Sequence, residues 1–223
     1  MCGRFAITLP SDAMAQLFAA APANDLPEVP NYNVCPTTRI HVVRHSAGGR
    51  RLVAMRWGFL PHWYDSPGAG PLLINARAET LAEKPAFRDA CRSRRCLIPV
   101  SGFFEWTKDA EGRRLPWYIS AGAPLALAGL WQGWQGGDLR QDTCAIVTTK
   151  ANRRMSEIHH RMPLVLAPGD WPLWLGEAGH GAARLMRPAP EDLLDMYRVG
   201  QAVNSSRATG PGLIEPDPPL PAG

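Results

Sequence analysis

The sequence predicts an α+β protein: a mainly antiparallel, partly closed, barrel-like β-sheet core with helices packed around it. Three observations carry this prediction. The 223 residues include 22 prolines and 21 glycines, more than a helical bundle carries, so many turns are required. Apolar runs of strand length recur between those turns, with only a few stretches of helical character among them. No internal repeat and no linker divides the chain, which reads as a single domain over 1–223 with a flexible proline-rich tail from about residue 207.

The elements follow in order. Ser11 or Asp12 is placed to cap a first short helix that closes near Pro22. RIHVVRH and RRLVAMRWGFL read as two strands around a turn at Gly48 and Gly49. LLINARAET holds a short apolar run and leads into a helix through Lys84 and Cys91. CLIPVSGFFEWTK and LPWYIS form a hairpin turning near Glu111 and Gly112, and PLALAGLWQGW and TCAIVTTK give two further strands. MSEIHHRMPLVL is a short helical or looped piece that enters another strand, and PEDLLDMYRV reads as a helix.

Composition narrows the class. A hydrophobic fraction of 45% and a charged fraction of 20% are those of an ordinary globule with a real core. A net charge of +4 and a pI near 9.0 permit a polyanionic partner without requiring one. Five cysteines, at positions 2, 35, 91, 96 and 144, form no regular framework, which argues against a disulfide-built secreted domain and suits reduced thiols in a cytosol. The spacing of Cys91, Cys96, His159 and His160 matches no standard zinc pattern, so no metal or cofactor is expected. Pro10, Ser11 and Asp12 interrupt what would be a signal-peptide core, and no run reaches membrane-spanning length; a cytoplasmic location is expected.

The chemistry starts at MCGRFA. A small second residue lets methionine aminopeptidase remove Met1, leaving Cys2 with an α-amine of pKa about 8 and a thiol of about 8.5 on adjacent carbons. Such a 1,2-aminothiol can attack an amide carbonyl, or condense with an aldehyde and close a thiazolidine ring. Four other polar residues stand in apolar surroundings: Asn75 in LLINAR, Glu105 among Phe103, Phe104 and Trp106, and His159 and His160 before Arg161 and a strand. Alternation puts Glu105 on a solvated face; the other reading is a partly buried carboxylate with a raised pKa. Asn75 reads equally as a turn or cap residue, and His159 as a satisfied core imidazole. Arginines and rings are interleaved at Arg4, Arg56, Trp57, Trp63, Tyr64 and Arg77, the pairing that holds single-stranded nucleic acid; a core of tryptophans with a solvated arginine rim fits as well.

MCGRFA, YNVCPTT, RWGFLPHW, INARAET, CLIPVSGFFEW, IHHRMPLVL and VNSS, in this order over residues 2 to 205, resemble the SOS response-associated peptidase (SRAP) family. The resemblance implies a covalent cross-link between Cys2 and the aldehyde of an abasic site in single-stranded DNA. It implies that Asn75, Glu105 and His159 complete the site, that Arg4, Arg77 and Arg161 face phosphates, and that a ring of PHWY, Trp63 or Tyr64, wedges or stacks where the strand turns. A monomer associated with the nucleoid when DNA-bound is the expected form. The alternative reading is an N-terminal-nucleophile cysteine peptidase acting on amide bonds. Two positions depart from the family pattern: Cys35 stands where alanine is usual, and His160 where aspartate commonly follows the histidine.

Overall fold

The computed structural model describes residues 2–217, and these form eleven strands and four α-helices. The first half of the chain supplies Phe5–Ile7 (β1), Ser11–Leu17 (α1), Ala20–Pro22 (β2), Asn31–Val34 (β3), Arg39–Ser46 (β4), Gly49–Trp57 (β5), Asn75–Arg77 (β6) and Pro85–Ser93 (α2). The second supplies Arg95–Lys108 (β7), Arg114–Gly136 (β8), Leu139–Lys150 (β9), Arg153–Ser156 (α3), Arg161–Pro163 (β10), Trp171–Leu175 (α4) and Asp195–Arg198 (β11).

Five of the strands close a ring. β4 pairs with β5, β5 with β9, β9 with β8, β8 with β7, and β7 returns to β4. All of these contacts are antiparallel except β5 with β9. The ring is extended by β1 and then β3 beyond β7, by β11 on β8, and by short β2, β6 and β10 on β5 and β9. The partly closed, mainly antiparallel α+β core expected from the sequence is therefore present.

Burial explains the closure. Trp57, Phe5, Phe59, Phe103 and Trp174 are fully buried in one continuous core, at about 1.5–3 kcal/mol for each large apolar side chain. The indole N–H of Trp57 donates to Ile74 O at 3.0 Å, so its polar atom is satisfied as well. A second, smaller cluster lies on the opposite face of β7, built from Ala6, Phe104, Tyr118, Val199, Val203 and Leu213.

Four local expectations are corrected. α1 starts after Pro10 without a side-chain cap, because Ser11 Oγ turns to the buried His41 Nε2 at 3.3 Å. It ends at Leu17, where Ala19 takes a positive φ of 49°, and residues up to Pro22 form β2 against β5. LPWYIS and PLALAGLWQGW are one strand, β8, whose pairing with β7 slips once between Val100 and Gly102. PEDLLDMYRV is a turn followed by β11: edge pairing with β8 sets Tyr197 against Tyr118, a gain no isolated helix offers. Residues 211–214 form a 3-10 turn with Leu213 buried, and Tyr197 Oη donates to Ile214 O at 2.8 Å. The rest of the expected tail, 218–223, lies outside the described residues, as does Met1.

Candidate active site

Four distant segments of chain carry the candidate residues. β1 pairs with β7 at Phe5↔Phe103 and Ala6↔Gly102, and Phe104 N donates to Arg4 O at 2.9 Å. This register carries Cys2 alongside the outer part of β7, where Glu105 follows Phe104. Asn75 opens β6, which lies parallel to β9. Its Nδ2 donates to Cys2 O at 2.9 Å, while its Oδ1 is buried with no hydrogen-bond partner among the described residues.

Cys2 is fully buried, and Glu105 is 3% exposed. The solvated-face reading of Glu105 is thus overturned. Alternation fails here because β7 is covered on both faces, with Phe103 in the main core and Phe104 in the second cluster. Burial pushes the Cys2 thiol far above its ordinary range, and the neighbouring Glu105 charge pushes it further.

His159 follows α3, whose cap is Asn152: its Oδ1 accepts from Met155 N at 2.8 Å. The half-buried ring accepts a hydrogen bond from Arg161 N at Nδ1, 2.9 Å away, and stacks on His160 at 4.4 Å. An accepting Nδ1 leaves the proton of the neutral ring on Nε2. Burial lowers the His159 pKa, and the Glu105 charge partly offsets this. At neutral pH the ring is therefore uncharged.

The arginines divide. Arg77 is exposed and lines a cleft of about 470 Å³ with Lys150, Ser156, His160 and Arg161. Arg161, which lines the same cleft, is buried and has protein partners for its guanidinium. Its Nη1 and Nη2 donate to the two carboxylate oxygens of Glu79 at 2.7 and 2.9 Å, and Nη2 also donates to Thr148 O at 2.7 Å. A buried guanidinium requires such partners, and Glu79 supplies the charge. Arg4 is half-buried: its Nη1 donates to Asn33 Oδ1 at 2.6 Å and to Val203 O at 3.1 Å.

The two rings of PHWY divide likewise. Trp63 is 48% exposed, with His62 edge-on at 4.9 Å. Tyr64 is half-buried and holds the loop, its hydroxyl donating to Pro71 O at 3.3 Å and its carbonyl accepting from Trp134 Nε1 at 2.9 Å.

Several site residues escape a reading of single positions. Asn33 anchors Arg4, and Asn204 accepts from Trp106 Nε1 at 2.6 Å; Trp106 in turn lies under Arg114 at 4.5 Å. The signal for Asn204 was its place in VNSS, and for Glu79 its place in INARAET. Lys150 had none, since it merely ends a strand. An apolar cleft of about 660 Å³, lined by Leu125 and Ala126 of β8, Trp171 of α4 and Leu185, shares no residue with this site.

A thiol, an amide, a carboxylate and an imidazole are thus linked by the Asn75–Cys2 bond and by the field of Glu105 on Cys2 and His159, and the neighbouring His160 lines a cleft with Arg77, Lys150 and Arg161. The chain belongs to the SOS response associated peptidase (SRAP) family, whose model matches residues 1–206. Among its relatives, the abasic site processing protein YoqW of Bacillus subtilis is 36% identical, covering 96% of this chain and 99% of its own. The abasic site processing protein YedK of Escherichia coli is 30% identical, over 97% and 100%. A crystal structure of a protein from Bacteroides thetaiotaomicron matches with a TM-score of 0.84 at 25% identity, covering 97% of this chain and 100% of that one.

Proposed function

We propose that this protein captures abasic sites in single-stranded DNA by forming a thiazolidine between mature Cys2 and the ring-opened sugar. The relatives named for abasic site processing support the substrate class. The observation that carries the reading is the Asn75 Nδ2 to Cys2 O bond of 2.9 Å, which fixes the nucleophile's backbone within the reach of Glu105's charge.

The chemistry balances without an oxidant. Glu105 relays the proton that opens the closed hemiacetal to its aldehyde. After Met1 is removed, the Cys2 amine attacks C1′, and loss of one water leaves an imine. Asn75 Oδ1, an acceptor without a partner among the described residues, is suited to holding that amine. The thiol sulfur then bonds to the imine carbon, and its proton passes to the nitrogen. As Glu105 takes the proton of the anomeric hydroxyl and passes it to the imidazole, His159, neutral with its proton on Nε2, gives that proton to the sugar oxygen released on opening, and the same transfers run backwards on reversal. Ring closure removes the imine from which β-elimination would break the strand.

The raised thiol pKa favours this order of events over amide hydrolysis, because a cysteine peptidase needs a thiolate and burial opposes one. Arg77 and Lys150 supply cations for the DNA backbone, and Trp63 the stacking ring. Denaturing gel electrophoresis with single-stranded DNA bearing one abasic site tests the proposal. A heat- and SDS-stable shifted band is expected with the wild-type protein, and none with Cys2→Ser or with intact DNA. A band of equal intensity from Cys2→Ser would remove the thiol from the account.

A further inference from the structure

We propose that Arg161 is a positioning residue: its backbone, held by the side-chain clamp to Glu79, mounts His159 so that the ring is bonded whether or not Nδ1 carries a proton. The argument starts from strand register. β10 runs antiparallel to β9 with Arg161 opposite Lys150. Ala151 N donates to His160 O at 3.1 Å, and Leu164 N to Val147 O at 2.9 Å. Bonded and non-bonded pairs alternate along an antiparallel ladder, so Arg161 and Lys150 form a non-bonded pair. The N–H and C=O of Arg161 therefore both point away from β9.

Both meet the same atom. Arg161 N lies 2.9 Å from His159 Nδ1, and Arg161 O lies 3.1 Å from it. An unprotonated Nδ1 accepts from the N–H; a protonated one donates to the C=O. The ring can thus change protonation state without turning, and Nε2 keeps its direction in both. A group that takes and returns a proton needs such a mount, and one unbonded edge residue provides it.

The edge residue must itself be fixed. The guanidinium of Arg161, with its side chain 8% exposed, is gripped by both oxygens of Glu79 and by Thr148 O and Oγ1. Glu79 lies just past β6 and Thr148 on β9, so the clamp ties β10 to the strand that carries Asn75. A planar fork on a carboxylate sets direction as well as distance, which a single bond does not. Among the described residues, the charged and titratable groups whose fields reach the ring are Glu105 and His160, and Glu79 is tied to it through Arg161.

Nitrogen-15 NMR of the histidine rings in the DNA-free protein tests the mount. In the wild type, His159 above its titration midpoint shows one tautomer, with Nδ1 unprotonated. In Glu79→Ala the tautomers mix and the midpoint moves, and Glu79→Asp, which keeps the carboxylate, restores the wild-type pattern more fully than Glu79→Gln. An unchanged tautomer and midpoint in folded Glu79→Ala overturns the inference; if that variant does not fold, the same result in Glu79→Gln overturns it. The consequence for catalysis rests on the proposed function. There, Glu79→Ala slows reversal of the cross-link by about tenfold or more, within the ~10²–10⁴-fold supplied by a positioned acid or base. An unaltered reversal rate beside an altered tautomer refutes that consequence. Absence of any wild-type cross-link refutes the function and leaves the NMR result to decide the mount.

Discussion

Asn75→Ala removes the hydrogen bond that ties Cys2 to β6, and its effect can be worked from the geometry. The lost Nδ2 bond to Cys2 O, 2.9 Å long and between neutral groups, contributes about 0.5–1.5 kcal/mol. Converted at about 1.4 kcal/mol per factor of ten, this slows cross-linking by roughly 2- to 10-fold. The second term is Asn75 Oδ1, buried without a partner among the described residues and assigned to the attacking amine. A hydrogen bond to a group developing charge contributes about 1.5–3 kcal/mol, or roughly another 10- to 100-fold. Together, about 2–4.5 kcal/mol, they are a loss of about 30- to 2000-fold in the single-turnover rate, read from quenched time points on denaturing gels. Asn75→Asp keeps an acceptor and loses the donor, so its rate falls between those of the wild type and Asn75→Ala. A melting temperature within about 2–4 °C of wild type, the equivalent of about 1 kcal/mol at this size, separates the effect from unfolding. Rates within twofold of wild type in both folded variants would refute the anchoring role.

Other consequences are open to measurement. Trp63→Ala leaves the melting temperature unchanged, since the ring is 48% exposed, but weakens single-strand affinity by about 1–3 kcal/mol in a fluorescence titration if the ring stacks on a base. Arg77→Ala lowers the salt dependence of that affinity by about 0.7 in the log–log slope, whereas a purely structural Arg77 would leave the slope intact. Glu79 is held below the usual carboxylate range by its bonds to Arg161, so its contribution is complete above about pH 4.3 and lost as pH falls through the lowered folded value. The stability gap between wild type and Glu79→Gln therefore closes on acidification; a gap independent of pH would contradict the pairing. His41 is buried, mainly by which its pKa is lowered to about 4 from 6.5. The unfolded chain takes up a proton at this site first, so stability present above pH 6.5 declines towards pH 4, and His41→Asn should flatten that part of the melting profile.

Much of this architecture was legible because it rests on local signals. Alternation around the Gly48–Gly49 turn yields β4 and β5 as expected, and the positive φ of 100° at Gly49 is what such a turn requires. The helix through Cys91 begins with Pro85 at its first position, a sequence-level start signal. The errors come where tertiary pairing overrides propensity. Asp195–Arg198 carries a helical-looking pattern, yet the open edge of β8 takes it as a strand. Glu105 defeats alternation because the second apolar cluster, assembled from residues as far apart as Ala6 and Leu213, covers the face that would otherwise be wet.

The site was legible as a set of residue types within motifs, but their division of labour was not. Arg77 and Arg161 look alike in sequence; only the fold exposes one and binds the other to Glu79. Trp63 and Tyr64 are adjacent, and only packing against Gly70 and Pro71 shows that the tyrosine serves the loop. The same holds for His159, whose neutral state and ring orientation depend on a strand edge that forms two residues later.

The measurement that most directly tests the central claim is the intact mass of the product formed with an abasic single-stranded oligonucleotide. The account predicts the mass of the protein without Met1, plus the oligonucleotide, less one water, with the linkage unchanged by borohydride because the imine has closed on sulfur. Unmodified protein, with Met1 confirmed absent and the abasic aldehyde confirmed present, would contradict it.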